Sequence, residues 1–191
     1  MKNTLHKIHP FLTDIQTIRA RAREHIKCGA ITTTYEGDLQ TAIQLLNEAL
    51  ATEIVCYLRY KNHYFNADGI QSASVAEEFL EHAQEEQAHA DQIAARIKQL
   101  GGNPDLNPAN LVSRSHAEYQ EGQTLVEMIE EDLIAERIAI DSYKEMIHYF
   151  GEKDPTSRRL MESILEKEEE HAEDLSSLLL TLDPNKRPQV A

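Results

Sequence analysis

Four stretches of the chain place apolar residues at alternating intervals of three and four, the spacing that lines one face of a helix packed in a bundle. One stripe is Ile43, Leu46, Leu50, Glu53, Tyr57, Tyr60, Tyr64. Its counterpart is Ile129, Leu133, Glu136, Ile140, Tyr143, Ile147, Phe150, with Glu136 falling 83 residues after Glu53. The other two are Phe79, His82, Glu86, His89, Ile93 and Met161, Ile164, Glu168, His171, Leu175. In all four, glutamate or histidine stands where the pattern calls for a core side chain.

Punctuation turns the stripes into helices. The first is predicted from Leu39 to Phe65, after the turn Glu36-Gly37-Asp38. The second runs from Val75 to Leu100, opened by Ser74 and Glu77 in capping-box spacing and closed at Gly101-Gly102. The third runs from Gln123 to Phe150 and stops at Gly151. The fourth follows Asp154-Pro155, an N-cap and a first-turn proline, and ends near Leu182 before Asp183-Pro184. Short turns make two antiparallel hairpins. Gly101 to Gly122 lies between them, and at about 3.3 Å per extended residue it can return along a helix roughly 40 Å long. The expectation is an all-α four-helix bundle over 39–183, two hairpins joined by one long crossover. A 1–38 extension adds an amphipathic helix over Phe11–Cys28, and 184–191 form a short tail.

Composition fits that picture, with only 7 Gly, 6 Pro and no Trp. The net charge of −14 is uneven: residues 1–30 carry six Lys or Arg against Asp14 and Glu24, so the remainder stands at −18. Such a surface repels nucleic acid and anionic lipid and draws in cations. No apolar run approaches the roughly 18 residues of a spanning helix, which predicts a soluble, cytoplasmic protein without a membrane partner. The two cysteines, Cys28 and Cys56, form no Cys-x-x-Cys, which excludes a rubredoxin-type or zinc-ribbon module.

A carboxylate buried in an apolar seam costs several kcal/mol unless something neutralises it, roughly. Within a helix, Glu-x-x-His places both side chains on one face, within reach of one ion. With 23 glutamates in 191 residues, nine histidines should produce about one such pair, and there are three. Glu145/His148 is the stray: Glu145 is nine residues past Glu136, about 900° of helix, and so on the opposite face. The other two, Glu86/His89 and Glu168/His171, each follow a core glutamate by 33 or 32 residues, the length of one hairpin. Glu53, Glu86, His89, Glu136, Glu168 and His171 therefore form a candidate site for two divalent cations, whose four positive charges cancel four carboxylates. A metal-free polar network would leave that negative charge in excess. Carboxylate and imidazole ligands with open positions suit Fe(II) or Mn(II).

The segments carrying these residues, LNEALATE (46–53), EQAH (86–89), EMIEEDLIAE (127–136) and EEEH (168–171), resemble the four helices of bacterioferritin over about residues 40–180. Length, the N-terminal extension and GEKDP at 151–155 are similar to the DPS-like ferritins that carry a bacterioferritin-type site. The resemblance implies a ferritin-like fold and a ferroxidase centre. It assigns Glu53 and His89 to one iron, Glu136 and His171 to the other, and Glu86 and Glu168 to both. It also implies a hollow homo-oligomer, in which Fe(II) is oxidised by O2 or hydrogen peroxide and stored. Tyr60 would donate an electron or hydrogen-bond a ligand, and Tyr143 occupies the equivalent place on the third helix.

Three positions depart from the family pattern. Gln87 stands where bacterioferritin has its haem-ligating methionine, so no haem is expected. Few residues follow Leu182 to build a fifth helix, which favours 12 subunits over 24. Ile138 and Ile147 occupy the positions of the cysteine pair of the DPS-like group. His82 and Glu85 extend the acidic side of the second helix and read as a solvated face, the other reading being guidance of iron inward. Rival functions are a rubrerythrin-like or catalase-like di-metal peroxide-detoxifying enzyme, and a DNA-protecting protein acting through Arg19, Arg21 and Arg23. The missing Cys-x-x-Cys module argues against the first. Docking of the basic helix on a neighbouring subunit is simpler than the second.

Overall fold

A computed structural model describes residues 13–69 and 72–182, and every structural statement concerns these. The chain divides into two units, Met1–Tyr35 and Glu36–Ala191. In the first, α1 (Ile15–Arg21) is capped by Asp14, whose carboxylate accepts from the amides of Gln16 and Thr17. The helix does not continue to Cys28 as expected. His25 adopts a left-handed conformation at φ 47° and leads into a single 3-10 turn, Ile26–Cys28. Ile15, Ile18 and Ile26 are exposed, so the amphipathic pattern gains no burial, and a helix this short is marginal without it. Phe11, Leu12 and the tail 184–191 lie outside the described residues.

The second unit is an all-helical bundle with no strand among the described residues. α2 (Leu39–Asn66) starts at Asp38, which caps Gln40 and Thr41. α3 (Ser72–Gln99) begins three residues earlier than expected, so Ser74 and Glu77 lie inside its first turns and not at its start. It ends at Gly101 (φ +75°) and Gly102, where a Cβ would stand 2.8 Å from the Ile43 side chain, so any larger residue would have to push Ile43 aside.

α4 (Leu111–Arg114) is a short turn within the crossover. α5 (Leu125–Phe150) opens with a capping box between Thr124 and Glu127, two residues later than expected. α6 (Pro155–Leu182) follows the Asp154 cap, whose carboxylate accepts from the Ser157 amide at 2.9 Å. Helices α2 and α3 form one hairpin and α5 and α6 the other.

The crossover is tied to α2 along much of its length. Asn47 accepts from the Asp105 amide, Thr52 from the His116 amide, and Arg59 donates to the Glu118 carbonyl. It covers part of the apolar surface that α2 carries off its core stripe. Val55 packs with Ala51 and Leu111, and Cys56 with Ala117 and Ala135. Leu58 and Phe65 remain exposed. Beneath the crossover, Arg59 is fully buried and donates to Asp132 at 2.7 Å, and Asp132 also meets His63 Nδ1 at 2.8 Å. This ion-paired clamp joins α2 to α5. No helix among the described residues is long and apolar enough to cross a membrane.

Candidate metal centre

Four helices each deliver a core-facing acid to the middle of the bundle, because each stripe places it at a register where the hairpins cross. Glu53, Glu86, Glu136 and Glu168 are all about 1% exposed or less, and His89 and His171 are buried beside them. Their ligating atoms fall into two groups of four, each within 4.8 Å: Glu53, Glu86, His89, Glu168 and Glu86, Glu136, Glu168, His171. Glu86 and Glu168 belong to both. The six residues singled out in the sequence therefore meet in one place, while Glu145 and His148 lie exposed on the far side of α5.

The ring nitrogens face the carboxylates. His89 Nδ1 lies 3.2 Å from both Glu53 and Glu168. His171 Nδ1 lies 3.3 Å from Glu86, 3.6 Å from Glu168 and 4.0 Å from Glu136. The other nitrogen of His171, Nε2, donates to Glu85 at 2.7 Å, which turns Nδ1 toward the acids. A carboxylate behind a histidine in this way fixes ring orientation and raises its basicity as a ligand. Glu85 is thus no free member of a solvated face; partial burial pushes its carboxyl up, but His171 and Lys167 together outweigh this and hold it below the usual range.

Tyr60 donates to Glu136 and Tyr143 donates to Glu53, a reciprocal pair in which the tyrosine of each antiparallel helix reaches the glutamate of the other. Both phenols are pushed well up by burial and by those carboxylates, so they stay protonated donors. His82 is 2% exposed, contrary to the solvated reading, because its ring stacks on His171 at 4.0 Å and stands edge-on to Tyr60. Burial, with His171 and Lys167 nearby, pushes it down to about 3.

Electrostatically the carboxylates of the centre outnumber its imidazoles. Burial and then mutual repulsion hold Glu86 and Glu136 well above the usual carboxylate range. Burial opposes a charge on His89, but the Glu168 and Glu53 carboxylates, each 3.2 Å from its Nδ1, outweigh this and push it up to about 10. Glu86 Oε1, Glu136 Oε2, both oxygens of Glu168 and His171 Nδ1 are buried with no hydrogen-bond partner. Five orphaned polar atoms aimed at a common space, in a protein that otherwise satisfies most buried polar atoms, fit metal ligation.

Sequence reasoning missed the Arg59–Asp132–His63 clamp. Its signal was available, since Arg59, His63 and Asp132 each fall one position off a core stripe, but it is the crossover together with α3 and α5 that makes that side of α2 an interior. By contrast, the groove beside Gln87 is lined by Leu50, Ile54, Tyr57, Ala90, Asp91, Ala94 and Leu106. None of these is a thioether, so this groove offers no methionine to a haem iron.

A ferritin-like domain family matches residues 43–183. Bacterioferritin from Mycobacterium avium is 34% identical over 149 residues, 78% of this chain and 89% of that protein. The dodecameric thioferritin of Bacteroides fragilis, a bacterioferritin-related protein, superposes with a TM-score of 0.75 at 33% identity, covering 79% of this chain and 91% of its own. Rhodobacter capsulatus bacterioferritin, described with a metal-free dinuclear site and haem iron, gives 0.69 at 30% identity, covering 81% and 98%.

Proposed function

The chain belongs to the ferritin-like domain family, and from that premise we propose that it takes up Fe(II), oxidises it at the six-residue centre and stores the ferric product. One observation carries the reading: two groups of four buried ligands overlap in Glu86 and Glu168, with orphaned lone pairs facing inward. In this reading Glu53 and His89 hold one ion, Glu136 and His171 the other, and Glu86 and Glu168 touch both. Two irons held side by side supply two electrons together to O2 or hydrogen peroxide; Mn(II) suits the same ligands.

The protein's own residues do the rest. Glu85 locks the His171 ring with its Nδ1 inward. Tyr60 holds one oxygen of Glu136 and leaves the other for the ion, while Tyr143 holds one oxygen of Glu53, whose other oxygen meets His89 Nδ1. Tyr60, an oxidisable side chain hydrogen-bonded to Glu136, stands at the place for an electron donor. The chain's acidic balance outside residues 1–30 favours cation uptake in the cytoplasm.

We read the exposed Leu58, Phe65 and Val112 on the α2–crossover face as subunit contacts of a closed homo-oligomer, with twelve copies favoured by likeness to the dodecameric thioferritin. A haem ligand at position 87 is outside this reading, as is DNA binding by the N-terminal arm.

The test is anaerobic Fe(II) loading followed by stopped-flow mixing with O2 or peroxide. The full-length protein should oxidise two Fe(II) per chain in a fast phase that Glu86→Ala and Glu168→Ala each abolish, with helical content retained. Native rates in both variants would refute the assignment.

A further inference from the structure

The phenol of Tyr60 has one proton, and it is donated to Glu136. His82 Nδ1 stands 3.3 Å from the same phenol oxygen, so that contact is made by an N–H on Nδ1. The other ring nitrogen, Nε2, stands 3.3 Å from Glu78 Oε1 and 3.9 Å from Asp174 Oδ2. The ligating atoms of the three residues all lie within 4.8 Å of one another. The ring is almost fully buried, while the side chains of Glu78 and Asp174 are 31% and 46% exposed, so the group is a recess open to water on its carboxylate side. Acceptors converge in this way when a cation stands between them. A proton shared between His82 and Glu78 is the other cation that would serve, and it makes a different prediction.

We infer that Glu78, His82 and Asp174 form a third, mononuclear site for a divalent transition-metal ion, joined to the paired centre through His82, Tyr60 and Glu136. One imidazole from α3, with one carboxylate from α3 and one from α6, is a donor set for Fe(II), Mn(II), Co(II) or Zn(II). Three protein ligands leave coordination positions for water, so an ion held there exchanges readily. The ion would sit on the solvent side of the His82–His171 stack, a holding position beside the paired centre. Only that use rests on the function proposed above; the site itself does not.

Co(II) tests it on the full-length protein, by equilibrium dialysis with metal analysis and by anomalous diffraction from Co(II)-soaked crystals. The comparison is wild type against Glu78→Gln/Asp174→Asn, two partly exposed positions whose exchange leaves the buried core in place. The expected result is one Co(II) fewer per chain in the double variant. The wild-type crystals should show an anomalous peak among His82 Nε2, Glu78 and Asp174 that disappears in the variant, with the peaks at Glu86 and Glu168 unchanged. Equal Co(II) content in the two proteins, or no peak at His82 in wild type, overturns the inference and leaves the shared proton. A peak at His82 with none at Glu86 and Glu168 would uphold it and defeat the paired-centre reading instead.

Discussion

Replacing Glu86 with glutamine should make the metal-free protein more stable and the metal-loaded protein less so. Glu86 is 1% exposed, its Oε1 has no hydrogen-bond partner, and it belongs to both ligand groups. Burial, and then the charges of Glu168, Glu53 and Glu136, hold its carboxyl well above the ordinary value of 4.5. The folded protein therefore binds this proton more tightly than the unfolded chain does. Below about pH 4.5 both states are protonated and nothing is lost; as pH rises above that, folding is increasingly penalised until the folded protein also titrates.

Protonation caps the penalty at about 1.4 kcal/mol per pH unit above the unfolded value, or about 3 kcal/mol at pH 7. Glutamine keeps the shape and removes the penalty. At about 2–4 °C per kcal/mol for a chain of this size, chelator-treated Glu86→Gln should melt roughly 6–12 °C above wild type at pH 7. The gap should close toward pH 4.5. Excess divalent metal at about a hundred times its Kd should stabilise wild type by about 2.7 kcal/mol. The variant, with an amide in place of a shared carboxylate, should gain far less, so the order reverses. Scanning calorimetry with chelator and with Mn(II) measures both halves. A metal-free variant that melts below wild type at pH 7, or an equal rise with Mn(II) in both, would refute the reasoning.

Glu85→Gln leaves the six ligands intact but loosens the His171 ring, and should weaken Mn(II) binding about 10–100-fold in a calorimetric titration. Asp132→Ala strips the partner from buried Arg59 and His63 and should cost about 3–5 kcal/mol, seen as a lower Tm with metal stoichiometry unchanged. Titration with haem should give no bis-methionine Soret spectrum, given the lining beside Gln87; a spectrum saturating at one haem per two chains would contradict this.

The bundle was legible because its signals are periodic and local. Each stripe reports a buried face, the hairpin lengths fix which residues share a height, and duplication of Glu followed by Glu-x-x-His separates the centre from the stray pair at Glu145. What the sequence did not reveal depends on contacts distant along the chain. Val55, Cys56 and Arg59 lie off the core stripe of α2 and are met by the crossover, while His63 is closed in by Phe79 of α3 and Asp132 of α5. Likewise His82 and Glu85 read as surface from α3 alone, and it is α6, bringing His171 against them, that buries one and hydrogen-bonds the other. The N-terminal helix failed for the converse reason. A good amphipathic pattern at Ile15, Ile18 and Ile26 yields only α1 and a 3-10 turn, because those residues remain exposed.

The central claim, that one buried centre holds two ions between shared acids, is tested most directly by anomalous diffraction at the iron edge from crystals loaded anaerobically with Fe(II). The account predicts two peaks per chain in the bundle core, about 3.5–4 Å apart. One should lie among Glu53, Glu86, His89 and Glu168, the other among Glu86, Glu136, Glu168 and His171. A single peak, or none at Glu86 and Glu168 while iron decorates exposed acids elsewhere, would contradict it.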